Sequence, residues 1–314
     1  MDTAREVVTV VIPCYNQGRF LAEAIASARS DHYPVEVVVV DDGSTDDTAA
    51  VARQFPVLYI KQPNRGLAAA RNRGLDESAG SFVIFLDADD RLLPGGIDAG
   101  ARSLAAHPEC AMAYGRCVMI GPDGATWPTP GIPTVRTGHH AALLHTNMIW
   151  MPAMAIFRRR PLIRLQGFAS GFDAAADYDL YLRLSRVESI HDHGVTVAAY
   201  RRHDGSMSGN AARMLEETLA VMQRHRPDPN DELFATWQDG WSNWQDFYGT
   251  QLVEEIRAHL RARALEPAIA KAATLWRLAP RIFSRELRKK WRLLYAGRAM
   301  PAAEISSASR RAES

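Results

Sequence analysis

A repeated alternation of apolar strand segments and amphipathic helix segments fills the first 120 residues and constrains the fold more than any other feature. The predicted strands lie at 7–12, 35–40, 57–60 and 82–86, and the predicted helices lie at 20–30, 44–55 and 67–78. These strands are apolar throughout instead of alternating with polar residues, which is typical of a parallel sheet covered by helices on both faces. Repeated strand–helix–strand units are right-handed. The sequence therefore predicts an α/β fold with a doubly wound, mostly parallel sheet flanked by helices.

The pattern changes after a further predicted strand at 111–120. A stretch rich in Gly and Pro follows, and the next predicted elements are a strand at 149–157, a helix at 178–186 and a strand at 195–200. From about residue 210 to residue 294 the apolar residues have helical spacing, with breaks near Pro227, Pro267 and Pro280. We therefore expect a helical C-terminal extension after the α/β region.

Composition excludes several classes of protein. The chain has 37 Lys and Arg against 36 Asp and Glu, a net charge of +1, so we expect no nucleic-acid partner. Cys14, Cys110 and Cys117 form neither a CxxC pair nor a zinc spacing. The N-terminus does not resemble a signal peptide, and no apolar stretch approaches the ~20 residues that span a bilayer. These features predict a cytoplasmic location.

Polar clusters follow three of the predicted strands. They are Pro13 to Asn16, Asp41 to Ser44, and Asp87 to Asp90. Ligands of doubly wound sheets bind at the carboxyl ends of the strands, so these clusters predict a binding site there. Carboxylates that converge on one crevice repel each other unless a cation lies between them, which favours Mg²⁺ or Mn²⁺. The alternative is that these residues only form turns, for which Asp and Gly are common.

Four motifs in this region carry a resemblance to a known family. They read VTVVIPCYNQGRFLAEAI, VVVVDDGSTDDT, NRGLAAARNRG and FVIFLDADD. In this order and spacing they resemble the inverting glycosyltransferases of family 2, which have the GT-A fold. The match is strong over residues 7–120 and continues through FDAAADYDLYLRL and YRRHDGSMS to about residue 208. The resemblance implies an enzyme that transfers a sugar from a nucleotide-diphosphate donor in cell-surface polysaccharide or glycoconjugate synthesis.

The resemblance also implies a division of the chain into regions. It implies a GT-A domain at 1–208, with a nucleotide-binding half at about 1–120 and an acceptor and catalytic half at about 121–208. Beyond the resemblance, the helical spacing of apolar residues predicts an extension at 209–300, and the low apolar content of the end predicts a flexible tail at 301–314. The acceptor would be a saccharide or a lipid-linked saccharide.

Donor-site residues are implied by position in the motifs. Pro13 and Tyr15 match residues that pack against the base, with Asn16 beside them. Asp42 matches a carboxylate that accepts a hydrogen bond from a base N–H, which favours uracil or thymine and hence a UDP- or TDP-sugar. The remaining implied donor contacts are Asn64, Gly66, Arg71, Asp87 and Ala88. Two alternatives stay open: Arg71 is a surface or ion-pairing arginine, and residues 64–66 form only a turn before a helix.

Metal ligation is implied for Asp89 and for His203, with Mn²⁺ or Mg²⁺ as the cofactor on the diphosphate. The two arginines before His203, Arg201 and Arg202, are expected to contact phosphate oxygens. The alternative for His203 is an ordinary surface residue of a loop.

Inverting transfer needs one general base, which takes the proton of the acceptor hydroxyl. Asp173, Asp177 and Asp179 compete for this role, and the resemblance favours Asp177, which stands before a predicted helix. Many family members have Glu at position 176, where this chain has Ala. The alternative is that Asp177 only caps the helix.

The segment 275–294 combines apolar residues at helical spacing with basic residues on the other faces, namely Arg277, Arg281, Arg285, Arg288, Lys289 and Arg292. A basic amphipathic helix of this kind predicts peripheral contact with the inner face of the cytoplasmic membrane. Packing of its apolar stripe against protein is the alternative.

Two other functions compete with glycosyl transfer. One is nucleotidyl transfer, which usually uses a glycine-rich basic loop that residues 13–18 lack. The other is nucleotide binding without catalysis.

Overall fold

The computed structural model describes residues 6–203, 205 and 207–296. The chain divides into two compact units, Met1–Trp244 and Gln245–Ser314. The first unit contains the sheet. The predicted tail at 301–314 lies outside the described residues.

Strands and helices alternate at the start of the first unit as the sequence predicts. They are β1 (Val8–Cys14), α1 (Gly18–Ser27), β2 (Val35–Asp41), α2 (Thr48–Ala52), β3 (Leu58–Lys61), α3 (Leu67–Glu77) and β4 (Phe82–Phe85). β1 pairs in parallel with β2 and β4, and β2 pairs in parallel with β3, which gives the order β3-β2-β1-β4. All seven residues of β1 are buried, because helices cover both faces of the sheet.

The second half of the first unit extends the same sheet. Its elements are β5 (Arg91–Leu92), α4 (Gly96–Ala106), β6 (Cys110–Ile120), β7 (Thr126–Trp127), α5 (His139–His145), β8 (Ala155–Arg158), α6 (Arg159–Arg164), α7 (Ala176–Val187), β9 (Ser189–Arg201) and α8 (Ala211–Arg224). β8 lies between β4 and β6 and is antiparallel to both, whereas β6 and β9 are parallel. The predicted α/β fold is confirmed, with a sheet that is parallel in its first four strands and mixed beyond them.

The strand predicted at 149–157 is shorter than expected. Residues Pro152–Met154 form a 3₁₀ turn, and β8 contains only Ala155–Arg158. A proline cannot donate to a strand ladder, so the segment before β8 does not pair as a central strand. This irregular segment brings Trp150 and Pro152 to the cavity described below.

Gly74 on α3 packs closely against the sheet. A Cβ at this position would lie 2.2 Å from Cγ1 of Val11, a fully buried residue of β1. The stiff β-branched side chain of Val11 cannot move aside without disturbing its strand. We expect Gly74→Ala to lower the free energy of unfolding by about 1–3 kcal/mol, despite its better helix propensity. Urea unfolding measures this value.

Gly131→Ala is the matched control for this prediction. Nothing lies within 4 Å of a Cβ at Gly131, and its φ is not positive. Its stability should change by less than about 0.5 kcal/mol. Equal midpoints for Gly74→Ala and Gly131→Ala would contradict the close packing of α3 on β1.

Three helices complete the described chain: α9 (Phe234–Arg261), α10 (Leu265–Leu278) and α11 (Pro280–Ala296). The segment 275–294, predicted as one basic helix, is divided between α10 and α11 at Ala279. Pro280 starts α11, since a proline is accommodated in the first turn of a helix but not in its interior. In the described part of the chain, none of the helices combines the length and the apolarity that crossing a bilayer requires.

Candidate functional site

A cavity of about 450 Å³ lies at the carboxyl ends of β1, β2 and β4. Ten of the residues predicted from the sequence line it: Pro13, Tyr15, Asp42, Asn64, Gly66, Arg71, Asp87, Ala88, Asp89 and Asp177. Asn16 is not among the lining residues, and His203 reaches the cavity through its contact with Asp89. The structure thus brings together residues that are up to 164 positions apart in the chain, from Pro13 to Asp177.

Asp42 organises the loop between β3 and α3. Its carboxylate accepts hydrogen bonds from the backbone N–H groups of Arg65 and Gly66, both at 2.9 Å, and from the side-chain amide of Gln62 at 2.7 Å. Gly66 has a φ of +90°, which favours glycine. A carboxylate has about four lone-pair sites, so Asp42 retains one for a ligand donor.

Tyr15 and Asn16 have different surroundings. The Tyr15 side chain is 50% exposed at the cavity, so one face is available for stacking. Asn16 has a φ of +53°, and its side-chain oxygen accepts the backbone N–H of Thr45 at 2.8 Å. Asn16 therefore ties the end of β1 to the loop after β2.

Arg71 forms a buried ion pair. It is 2% exposed, and its Nη2 lies 2.7 Å and 3.0 Å from the two carboxylate oxygens of Asp87. Its guanidinium carbon also lies 5.2 Å from the centre of the Phe168 ring. The ion-pairing alternative is thus what the structure shows. Contact between Arg71 and a donor stays a prediction.

Asp89 and His203 lie side by side at the end of the fourth strand, with 3.0 Å between Oδ2 and Nε2. Burial raises the pKa of the Asp89 carboxyl, and the neighbouring charge of Asp87 raises it further. Burial also raises the pKa of Asp90, where the charge of Asp89 adds to the effect. The carboxyl groups of Asp87, Asp89 and Asp90 thus disfavour one another's ionised forms, and a cation would relieve this repulsion.

The residues present fit a divalent cation that takes few protein ligands. Within the described residues there is no group of three or more His, Cys, Asp or Glu side chains arranged to hold a metal ion. Mg²⁺ is commonly held by one or two carboxylates and completes its shell with water and substrate phosphates. Asp89 and His203 supply an oxygen and a nitrogen donor for such a site.

Arg201 does not contact the cavity, contrary to expectation. It is 2% exposed, and its guanidinium donates to the backbone carbonyls of Asp89 at 2.7 Å and Pro122 at 3.1 Å and to the carboxylate of Glu23. It therefore supports the loop that carries Asp89 instead of meeting phosphate. Arg202 donates to the Ser208 hydroxyl at 3.2 Å.

Asp177 lies in the first turn of α7 and lines the cavity. The N-cap of α7 is Ala175, so the interpretation of Asp177 as the N-cap is wrong. Its Oδ1 accepts the backbone N–H of Tyr178 at 2.8 Å. Burial raises the pKa of this carboxyl to about 6, and the positive charge of Arg71 limits the rise. A carboxylate with this pKa is ionised near neutral pH and is basic enough to accept a proton.

The two competing aspartates differ from Asp177. Asp179 is fully buried and binds Nε of Arg183 at 2.7 Å and Nε2 of His225 at 3.0 Å, so its role is structural. Asp173 also lines the cavity, but it accepts from Nη2 of Arg213 at 3.4 Å. Asp177 therefore remains the candidate for the base among the three.

Several lining residues were not predicted from the sequence. They are Gln17, Leu67, Trp150, Met151, Pro152, Arg213 and Met214. Trp150 to Pro152 come from an irregular segment, and Arg213 and Met214 come from α8, which the sequence assigned to the C-terminal extension. No local motif marks them, because only tertiary packing brings these segments to the strand ends.

Comparison with known proteins gives one family and one fold. The family described as Glycosyl transferase family 2 matches residues 9–166, half of the chain. Glycosyltransferase GlyA of Streptococcus pneumoniae is 42% identical over 89 residues, which cover 26% of this chain and only 13% of GlyA. The structure of S. aureus TarS 1-349 in complex with UDP-GlcNAc has a TM-score of 0.56 at 16% identity, covering 86% of this chain and 90% of TarS 1-349.

A second solved structure agrees in fold. The mannosyltransferase PcManGT from Pyrobaculum calidifontis, in complex with GDP-Man and Mn²⁺, has a TM-score of 0.59 at 19% identity. The match covers 94% of this chain and 88% of PcManGT. At these identities the two structures support the fold.

Proposed function

Because the chain belongs to glycosyl transferase family 2, we propose that it is an inverting, metal-dependent glycosyltransferase that moves a sugar from a nucleotide-diphosphate donor to an acceptor hydroxyl. One observation carries the proposal. A single cavity is lined by an exposed aromatic ring at Tyr15, by the acidic strand end with Asp87 and Asp89, and by the high-pKa carboxylate of Asp177.

The proposed reaction is a single displacement at the anomeric carbon. The acceptor oxygen forms a bond to this carbon while the bond to the phosphate oxygen breaks, and the nucleoside diphosphate leaves with the electron pair. Asp177 takes the acceptor proton at its carboxylate. Asp89 and His203 would hold a divalent metal, which neutralises charge on the leaving diphosphate when it is bound.

The donor is proposed to be a nucleotide sugar with a pyrimidine base. The remaining lone-pair site of Asp42 can accept an N–H of uracil or thymine, and Pro13 and Tyr15 lie beside it along the cavity. TarS binds UDP-GlcNAc and PcManGT binds GDP-Man with Mn²⁺, which supports the nucleotide-sugar class and the metal. The preference for UDP or TDP rests on Asp42.

Thermal shift with nucleotides tests the donor proposal. UDP, TDP and GDP are added with Mn²⁺ or with EDTA, and a ligand at about 100 times its Kd should stabilise the protein by roughly 2.7 kcal/mol. We expect UDP or TDP to act more strongly than GDP, and only with Mn²⁺. Release of UDP from UDP-sugars with added saccharides then tests transfer. Release of pyrophosphate would instead favour a nucleotidyltransferase.

The acceptor is proposed to be a saccharide or a lipid-linked saccharide, in synthesis of a cell-surface polysaccharide or glycoconjugate by a cytoplasmic protein. Large apolar side chains are exposed on α10, namely Leu265 at 61%, Ile269 at 67% and Trp276 at 65%. Exposed basic residues of α10 and α11 accompany them: Arg277, Arg281, Arg285, Arg288 and Lys289. This combination supports peripheral binding to an anionic membrane.

We expect the full chain to float with anionic liposomes at low salt and to be released by salt. Each basic residue near such a surface contributes about 1 kcal/mol, and the attraction falls off within a Debye length. Replacing Arg277, Arg281 and Arg285 together by Gln should reduce flotation at least tenfold. Replacing Arg53, Arg102 and Arg160, which are exposed in the first unit, removes the same charge and should have little effect. Equal flotation of both variants would favour packing of the helices on protein.

A further inference from the structure

The loop before α7 is held by a carboxylate from another helix. Oε2 of Glu217, on α8, accepts the backbone N–H groups of Asp173 at 2.8 Å, Ala174 at 2.6 Å and Ala175 at 3.2 Å. Hydrogen bonds to an ionised acceptor are stronger than neutral ones. Three consecutive N–H groups are thus directed at one oxygen atom.

Glu217 binds the backbone N–H groups immediately before α7, including that of the N-cap residue Ala175. Ala175 is the N-cap of α7 and has no side chain that can accept a hydrogen bond. The first N–H groups of a helix have no partner inside the helix, and a negative charge near this end is favourable. The Glu217 side chain is only 16% exposed, so its position is fixed by the surrounding protein.

The other carboxylate oxygen of Glu217 binds a residue of the cavity. Its Oε1 accepts from Nε of Arg213 at 2.8 Å, and Nη2 of Arg213 lies 3.4 Å from Oδ2 of Asp173. Glu217 therefore joins α8 to the loop directly through three backbone groups and indirectly through Arg213. Asp177 follows the last of these backbone groups by two residues.

We infer that Glu217 is a positioning residue that sets the location of Asp177 in the cavity by fixing residues 173–175. This inference rests on the proposed function of Asp177 as the base. A displacement of about 1 Å in a reacting group can cost 10²-fold in rate. Loss of Glu217 should therefore lower kcat much more than it changes donor KM, since the proposed base acts on the acceptor proton and Glu217 itself does not line the cavity.

Steady-state kinetics of Glu217→Ala, Glu217→Gln and Glu216→Ala test the inference. We expect Glu217→Ala to lower kcat about 10- to 100-fold with donor KM within twofold. Gln keeps one acceptor oxygen, so Glu217→Gln should recover part of the loss. Glu216 is exposed on the same helix and is not a cavity residue, so Glu216→Ala should keep kcat within twofold. Rates are compared per folded molecule, well below the Tm of each variant.

A double variant separates positioning from general destabilisation. If Glu217 acts through Asp177, the variant with both Glu217→Ala and Asp177→Asn should be no slower than Asp177→Asn alone. Independent, multiplied losses would overturn the inference, as would an unchanged kcat for Glu217→Ala.

Asp177→Asn, measured in parallel, distinguishes this inference from the proposed function. If Asp177→Asn keeps its transfer rate, the assignment of the base is wrong. If Asp177→Asn loses transfer while Glu217→Ala does not, only the positioning role of Glu217 is wrong.

Discussion

Asp177→Asn is expected to slow transfer by 10²- to 10⁴-fold while the affinity for the nucleotide sugar stays within twofold. The physical reason is that a base acts on the acceptor proton, and proton transfer by a positioned base contributes about this factor. The corresponding rise in the barrier is about 3–5 kcal/mol. Donor affinity is measured by calorimetry with Mn²⁺, and transfer is measured by release of the nucleoside diphosphate.

The pH dependence should reproduce the effect of the mutation. Burial raises the pKa of Asp177 to about 6, so lowering the pH through 6 protonates the base and should slow the wild-type enzyme. Above this pH the rate should reach a plateau. Asp177→Asn should lack this pH dependence, because Asn does not titrate in this range.

A change in stability should not account for the loss of transfer in Asp177→Asn. A raised pKa means that the ionised carboxylate is less stable in the folded state than in water, so the neutral Asn should leave the Tm unchanged or raise it. Asp173→Asn is the control within the cavity and should cost far less in rate. Asp179→Asn should also spare the rate per folded molecule, but it should lower the Tm because it weakens a buried ion pair. If Asp173→Asn loses as much transfer as Asp177→Asn, the base lies elsewhere.

Asp89→Asn is expected to remove the metal dependence of donor binding and to lower donor affinity in Mn²⁺ by about 10²-fold. The reason is that Asn is a neutral and weaker oxygen ligand for a divalent cation beside His203. Calorimetry of UDP binding with Mn²⁺ and with EDTA measures the two affinities. For the variant they should converge, whereas for the wild type Mn²⁺ should strengthen binding.

Asp239→Asn is the matched control for this variant. Asp239 is exposed and lies outside the cavity, so its loss removes the same charge without touching the site. Circular dichroism should show that both variants keep the fold. An Asp89→Asn protein that binds UDP with unchanged affinity and unchanged metal dependence would show that the metal is held by other residues.

The sequence predicted the first half of the fold well because local signals agree there. Apolar runs with turns between them specify β1 to β4, and each of the first three strands is followed by its own helix. The second half was predicted less well. An apolar run shows that a strand is buried but not whether its partner is parallel, so the antiparallel position of β8 between β4 and β6 could not be inferred.

The candidate site also contains some features that the sequence predicted and others that it did not. Motif positions placed Asp42, Asp89 and Asp177 near one another, and the cavity contains all three. The sequence did not reveal that Arg201 is buried among carbonyl groups. The sequence around an arginine near a motif histidine is the same whether its side chain contacts phosphate or the protein core. The charge partner that explains its burial, Glu23, is 178 residues away.

The sequence by itself determined the α/β class, the family and the polar strand ends, since these depend on residue types at short spacing. Only the tertiary structure decided which of three nearby carboxylates lies in the cavity with a raised pKa and which is a structural partner. Asp173, Asp177 and Asp179 lie within seven residues and are chemically identical. Their environments differ because α8 and the loop before α7 pack around them, burying Asp179 against Arg183 and leaving Asp177 in the cavity with a pKa of about 6. Burial and charge partners set the acidity of a carboxyl group, and both are properties of the folded chain.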